Sequence, residues 1–472
     1  MFVSKLIRSS VLIALVGVGV QGVALADSAS TTGGIKIKSD DGNFDASIGG
    51  RIHWDAVYLS PYSNSSKVGS GSPSFENKSG AYFRRVFLSL AGHAYGWEYH
   101  IDDDLVGRTD VDTGTATTTV TCATGKPNSK GQCTGTGNYV TGVSTSTIST
   151  TGVQTNSFND VWVAHELFPH GTVYLGQHKP WRAYEEIQSN NEILFMERPV
   201  TSASGIFGGR DFTQGVYYKW VNNGVWLGAS GYALNKASQS TTQGIGWDTR
   251  AAWAPINDKG KLLHVGASYS VDNADNANSL KASYNYAGYK LDGALSETLA
   301  SYAGSLTSNN NASVRTLTGE LAGIYGPAYF ESEYAHASFG QHGVGGSNVD
   351  AFYAQASYFV TGESKSYRAS DAVVAGNPKP IHSAGAVELK VRYEYMRNLD
   401  ANAAGNPGAC NLSIKATGTI NKCVVTDFAG GINFYVNPNV RFMLDYVSAR
   451  ADIGSAGWDE PKTIALRTQF SF

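Results

Sequence analysis

Proline is scarce in this chain, 13 residues in 472, and cysteine scarcer still, with four. So few cysteines exclude a small scaffold held together by disulfides. The four fall in two close pairs, Cys122 with Cys133 and Cys410 with Cys423, each in a Gly/Thr/Asn-rich stretch without C-x-x-C spacing. In an exported chain that pattern reads as two loop-closing disulfides rather than a metal site. Basic excess is also missing: 36 Lys and Arg stand against 39 Asp and Glu, with no basic tail or stripe. That excludes a nucleic-acid partner. Beyond the N-terminus no apolar run approaches the ~20 residues that a membrane helix needs. No G-x-S-x-G or comparable catalytic grouping stands out, so no enzyme activity is expected.

The one apolar run is N-terminal. Lys5 and Arg8 precede "VLIALVGVGVQGVALA", which closes on Ala24-Leu25-Ala26. A basic segment, a short apolar segment and an A-x-A-like site make residues 1–26 a cleaved secretory signal. Its Gly17-x-Gly19-x-x-Gly22 lies in no βαβ unit and is not a dinucleotide fingerprint.

Glycine (54) and tyrosine (26) are abundant. From Phe44 onward, segments of about ten residues alternate between two environments, as strands do. In "AVELKVRYEY" Val387, Leu389, Val391, Tyr393 and Tyr395 oppose Glu388, Lys390, Arg392 and Glu394. Short breaks (Tyr95-Gly96, Phe168 to Gly171, 222–224, 326–328, 437–439) alternate with long ones (59–79, 107–156, 179–211, 273–313, 399–424). This is the signature of an outer-membrane barrel with short periplasmic turns and long extracellular loops. The count predicts an all-β, closed antiparallel transmembrane barrel of about 16 strands over 27–472, with 278–297 as a hairpin inside a long outer loop. Closure is obligatory, because an open edge in hydrocarbon leaves backbone groups unpaired.

Three stretches go beyond pattern: "AYFRRVFLSLAGHAYGWEYHIDDDL" (81–105), "FNDVWVAHELFPHGTVYLGQHKPW" (158–181) running into "EEIQSNNEILFMERPV" (185–200), and "YAQASYFVTGESKSYR" (353–368). With "TRAAWAP" (249–255) and the terminal Phe472, they resemble the phosphate-selective porin O and P family of Gram-negative outer membranes. The resemblance spans the mature chain. It implies a homotrimer, a constriction loop folded into the lumen, and a diffusion path for small anions such as phosphate or polyphosphate, with no cofactor or metal. It also implies that Phe472 is read by the barrel-assembly machinery.

Family arginines carry over onto Arg51, Arg84, Arg85 and Arg250 as pore-lining, anion-binding groups. Arg85 alternates inward; Arg84 then sits at the rim or beside a bulge that turns both arginines inward. The family's constriction lysine has no counterpart, since Glu185 and Glu186 occupy that region; Lys179, Arg182, Arg198 and Arg210 stand nearby as substitutes. Alternation adds Lys219, Lys390, Arg392 and Arg467 to the inward faces. It adds carboxylates too, among them Asp55, Asp102, Asp104, Asp248, Glu331, Glu333, Glu388, Glu394 and Asp445. Such a lumen is mixed in charge. Lys390 and Arg392 fit internal pairing with Glu388 and Glu394 better than a pore role. A general or weakly selective porin is therefore the alternative, with a barrel enzyme or an adhesin further off.

Smaller features are assigned as follows. "HELFPH" (165–170) is one residue too long for H-E-x-x-H and spans a turn. The ten histidines show no ligand spacing, and Asp102-Asp103-Asp104 offers cation ligands or wets the lumen wall. Trp97, Trp220, Trp226, Trp253 and Tyr446 are expected in the interfacial aromatic girdles.

Overall fold

The computed structural model describes residues 26–30, 35–60, 79–106, 117–122, 140–146, 158–207, 212–234, 244–274, 279–285, 296–303, 312–341, 344–400, 409–411, 422–452 and 454–472. Residues 1–25 of the expected signal lie outside them. The chain forms two compact units, Met1–Asp103 with Asn159–Phe472, and Asp104–Phe158. In the second, Thr117–Cys122 pairs antiparallel with Val140–Ser146.

The first unit is built on sixteen antiparallel strands. They are β1 (Phe44–Ser60), β2 (Gly80–Ala94), β3 (Trp97–Asp104), β4 (Phe158–Phe168), β5 (Gly171–His178), β6 (Thr213–Asn222), β7 (Val225–Ala233) and β8 (Ile245–Asp258). β9 (Lys261–Ala274), β10 (Ala312–Tyr325), β11 (Ala328–Gln341), β12 (Val344–Phe359), β13 (Ala386–Asn398), β14 (Val424–Asn437), β15 (Val440–Asp452) and β16 (Lys462–Ser471) complete them. Each pairs with its chain neighbour, and β16 returns to β1 with Lys462 opposite Ser60 and Ser471 opposite Arg51. The sixteen strands thus close on one another, the condition for burying strands in hydrocarbon. Beyond the end of β16, the start of β1 pairs instead with Ile35–Ser39, which in turn pairs with Ala26–Ser30.

Alternation decides which face is which. On β13 Glu388, Lys390, Arg392 and Glu394 are buried, whereas Leu389, Val391 and Tyr393 are exposed. Leu317, Leu321, Phe428, Ile432, Leu444, Ile464, Leu466 and Phe470 are exposed on other strands. Charge inside and apolar groups outside invert the order of a water-soluble protein and leave an outward apolar band.

At one end, six connections are two-residue turns: Tyr95-Gly96, Pro169-His170, Asn223-Gly224, Lys259-Gly260, Gly326-Pro327 and Pro438-Asn439. Asn223 (φ 49°) and Gly224 (φ 76°) have the left-handed pair that a tight hairpin requires. One connection at this end departs from the short-turn expectation. Between β12 and β13, residues 360–385 fold inward and carry a small hairpin, Ser366–Arg368 on Val373–Ala375.

At the opposite, loop end, residues 179–207 enter the lumen with two single-turn helices, α1 (Tyr184–Ile187) and α2 (Val200–Ala203). A hairpin starts where one was expected (278–297), from Ser279–Asn285, but its second strand is Ser296–Ala303, beyond most of that range; with Ala409–Asn411 alongside it forms a sheet separate from the barrel's. Its Leu280 and Leu299 pack in one apolar cluster with Ala183, Val200 and Phe207 of the inward loop and Val349 and Met396 of the wall.

Candidate functional site

The constriction loop is held by the charged wall. Its N–H groups donate to carboxylates: Tyr184 to Glu333 (2.7 Å), Met196 to Asp445 (2.8 Å) and Val200 to Glu394 (3.2 Å). Its carbonyls accept from cations: Leu194 from Lys390 (3.0 Å), Ile193 from Arg441 (3.1 Å), Glu197 from Arg392 (2.9 Å) and Met196 from Arg467 (2.5 Å). An irregular backbone inside a barrel has no ladder of its own, so wall charges supply its partners. The same charges pair with one another, Lys390 with Asp445 (2.5 Å) and Arg392 with Glu394 (2.5 Å).

A second network spans the closing seam. Arg467 on β16 grips Asp55 on β1 through two bonds of 2.7 Å, and also reaches Glu197 at 3.0 Å. Arg84 on β2 takes both oxygens of Glu197 at 2.9 Å. The β1–β2 register runs from His53 opposite Arg85 to Trp54 opposite Phe83 and skips Arg84. That bulge turns both arginines inward. Burial alone would raise the Glu197 carboxyl, but the guanidinium of Arg84, joined by Arg467 and Arg85, holds it down at about 2. Arg85 is 9% exposed and its Nη1 has no hydrogen-bond partner; Nη1 of the nearby Arg198 has none either.

The inward segment from the turn end is fastened to β6, β7 and β8. Arg250 donates to the carbonyls of Asp371 (3.1 Å) and Ala372 (2.8 Å) and pairs with Glu320 (2.9 Å). Trp226 donates to the Ser370 carbonyl and stacks under Arg250, whose guanidinium lies 4.9 Å from its ring. Trp226 is 1% exposed, which corrects its expected place in a girdle: it shares the inward face with Gly228, the register partner of Arg250. Arg368 reaches across to Glu192 of the constriction loop (2.5 Å).

A cavity of about 630 Å³ opens along β1–β6. It extends from Asn439, Ser471 and Phe472 at the turn end to Lys179 and Phe212 at the loop end. Arg51, Lys179, Lys219 and Arg368 line it with Asp102, Asp160 and Asp371, and Ser189, Asn190 and Asn191 supply its constriction-loop side. Arg51 bonds Asp102 (2.9 Å) and Ser189 (3.1 Å), while Lys219 bonds Asp371 (3.3 Å). Trp162, Tyr174 and Trp181 form part of its wall, and the Lys219 ammonium lies 5.2 Å from the Tyr174 ring.

A closed barrel with a loop-narrowed aqueous cavity is the geometry of a diffusion channel. The profile of the family described as phosphate-selective porin O and P matches residues 47–472. The chain belongs to that family. The porin is 23% identical to Porin O of Pseudomonas aeruginosa over 467 residues, 94% of this chain and 92% of the relative. Among solved structures it shares a fold with the outer membrane channel DcaP of Acinetobacter baumannii (TM-score 0.50, 12% identity, 92% and 99% of the two chains). It does so equally with an anion-selective porin from Comamonas acidovorans (TM-score 0.50, 11% identity, 91% and 100%). The porin is an outer-membrane channel for small solutes, with its turn end periplasmic and its loop end external.

The structure divides the expected anion-binding residues. Arg51, Lys179 and Lys219 line the porin's cavity. Arg84, Arg182, Arg250, Arg392 and Arg467 lie in buried ion pairs, Arg182 with Glu186 (3.1 Å) and Asp272 (3.4 Å). Arg85 and Arg198 are not among the lining residues, and Arg198 bonds the Gln188 carbonyl (2.6 Å) and Asn190 (2.9 Å), which lines the cavity. Arg210 lies outside the described residues. Cys423 is disulfide-bonded; the side chains of Cys122, Cys133 and Cys410 lie outside the described residues. Glu185 and Glu186, the acids in place of a lysine, are buried away from the cavity, and Glu186 pairs with Arg182.

Sequence reasoning offered Asp102 as a cation ligand but did not join it to His100 and Asp160, and it did not single out Arg368. His100 and Asp102 share a face because strand side chains repeat every two residues, but no local pattern brings in Asp160 from the next strand.

Proposed function

We propose that the porin passes small anions, phosphate-type oxyanions among them, along the β1–β6 cavity. The observation that carries this reading is Arg85. A buried guanidinium with an unpartnered Nη1 is costly unless an anion completes its hydrogen bonding. It lies one rung toward the loop end from Arg51, opposite His53. Its fork of donors suits phosphate oxygens, and the family's description names phosphate. The bulk of the wall charge is spent on loop backbone and ion pairs. Arg51, Lys179 and Lys219 border the cavity although each also has a protein partner, and with Arg85 and Arg198 they form the working set. Binding must stay weak enough for release.

The test is a reversal potential in a salt gradient across a planar bilayer, followed by titration of the chloride current with phosphate. Wild type is expected to favour chloride and to be blocked by phosphate. Arg85→Gln is expected to weaken that block at least tenfold, about 1.4 kcal/mol. A reversal potential at or beyond the cation side sinks the reading. Asp102, Asp160 and Asp371 on the cavity favour the second reading, a weakly selective porin, for which phosphate and chloride would pass alike.

We infer further that the channel has no enzymatic role, that cleavage follows Ala26, and that the outward apolar band serves lipid contact and a homotrimer. The mass of the purified chain and its cross-linked size check the last two.

A further inference from the structure

Three ligand-type side chains converge on the cavity wall and take no part in holding the constriction loop. His100 and Asp102 project from β3 on one face, and Asp160 projects from β4. One ligand atom from each lies within 4.8 Å of the other two. All three border the same cavity, so a hydrated ion can reach them.

The contacts inside the cluster are incomplete. Asp102 is 4% exposed and commits Oδ2 to Arg51 at 2.9 Å. Its Oδ1 lies 3.0 Å from His100 Nε2 as an ion pair. Oδ1 of Asp160 is buried without a hydrogen bond. A buried carboxylate oxygen is nearly always satisfied, so this one, beside an imidazole and a second carboxylate, calls for a missing partner. A donor–donor separation of 3.0 Å is close to one edge of a coordination polyhedron, since bonds of about 2.1 Å to a common ion place neighbouring donors roughly 3 Å apart.

We propose that His100, Asp102 and Asp160 bind a divalent cation of borderline softness, zinc or a neighbouring first-row metal. One imidazole with two carboxylates suits that class better than Ca²⁺ or Mg²⁺, which favour all-oxygen cages. Three protein ligands leave a coordination position open toward the cavity for water or a passing solute. Trp162, stacked on His100 with centroids 5.4 Å apart, fixes the ring's plane. Arg51 stays on Asp102 Oδ2, because a carboxylate can serve both partners through separate oxygens.

The test is equilibrium dialysis of the purified, folded full-length mature porin against micromolar free Zn²⁺ alone, with the barrel verified by heat-modifiable migration. Wild type is expected to retain one Zn²⁺ per chain. Asp160→Asn and His100→Gln are each expected to lose at least tenfold in affinity. His165→Gln, outside the cluster, should bind as wild type does. Asp160→Asn preserves shape and carries the test if His100→Gln fails to close. The proposal fails if wild type retains no zinc, or if Asp160→Asn retains it equally well. Dialysis reads binding without reference to which solute the channel prefers, so it is decided separately from the anion reading.

Discussion

Glu185 shows what one carboxyl costs when the wall offers it nothing. Neither of its oxygens has a hydrogen bond, although its backbone N–H donates to Glu333. Burial, and then the neighbouring Glu331 carboxylate, push its carboxyl well above the glutamate value of 4.5. For an acid whose folded value is raised, the folded chain holds the proton more tightly than the unfolded one. Stability is then fully present below pH 4.5 and is lost as pH rises toward the folded value. Glutamine needs no proton. Glu185→Gln is therefore expected to leave stability unchanged near pH 4 and to raise it by up to about 1.4 kcal/mol per pH unit above that, until the folded value is passed. Urea unfolding of the detergent-solubilised porin at several pH values measures the slope. Glu197 has the opposite sign, since Arg84 keeps it ionised down to about pH 2. Two glutamates of one loop, twelve positions apart, thus differ because one meets guanidinium groups and the other a second carboxylate.

At the scale of elements, two inward segments divide the lumen between them. The constriction loop fills the side facing β9–β15, and residues 360–385 rise from the turn end beside β6–β8. Val373 and Val374 pack with Tyr184 of α1, and the Tyr184 hydroxyl accepts from the Val374 N–H at 2.7 Å. Arg368 and Asp371 of the turn-end segment border the open cavity, so this segment narrows the path directly. Replacing 364–382 by a short turn is expected to raise single-channel conductance roughly twofold and to weaken ion selectivity, because two charged lining groups go with it. Unchanged conductance in planar bilayers would place the segment outside the path. How much of this could be read beforehand follows from the range of each interaction. Strand alternation at 386–395 is local and was legible, because lipid and lumen impose opposite demands on adjacent residues. For Arg84 the local pattern left rim or bulge open, and only the register against His53 and Trp54 selects the bulge. The partners of Arg392, Arg441 and Arg467 are loop carbonyls far away in sequence. No spacing rule reports them, so Arg467 reads as free lining charge, whereas the pairing of Arg392 with Glu394 was legible from alternation. Residues 360–385 escaped because the short-turn rule has no place for an inward turn.

For the whole molecule, closure rests on a single seam. β16 meets β1 over ten register pairs, and Phe472 adds two backbone bonds with Gly50, each 3.0 Å. A side chain at Gly50 would collide with the Phe472 ring, whose Cζ lies 2.7 Å from where a Cβ would stand. The ring therefore lies against bare backbone at the end of the seam, and it remains 44% exposed. Its contribution to the finished barrel is small beside the full ladder and the buried Arg467–Asp55 pair. If Phe472 acts instead as a mark read during assembly, the two roles separate experimentally. Phe472→Ala keeps the backbone bonds and removes only the ring. Refolded from urea into detergent, this variant is expected to show wild-type heat-modifiable migration and conductance. In cells, the amount reaching the outer membrane should fall severalfold. Equal losses in both settings would assign the ring to closure itself. An unaffected yield in cells would remove Phe472 from assembly altogether. The contrast is sharp because the physical contact is slight: a ring that adds little to the finished barrel cannot account by packing for a loss seen only in cells.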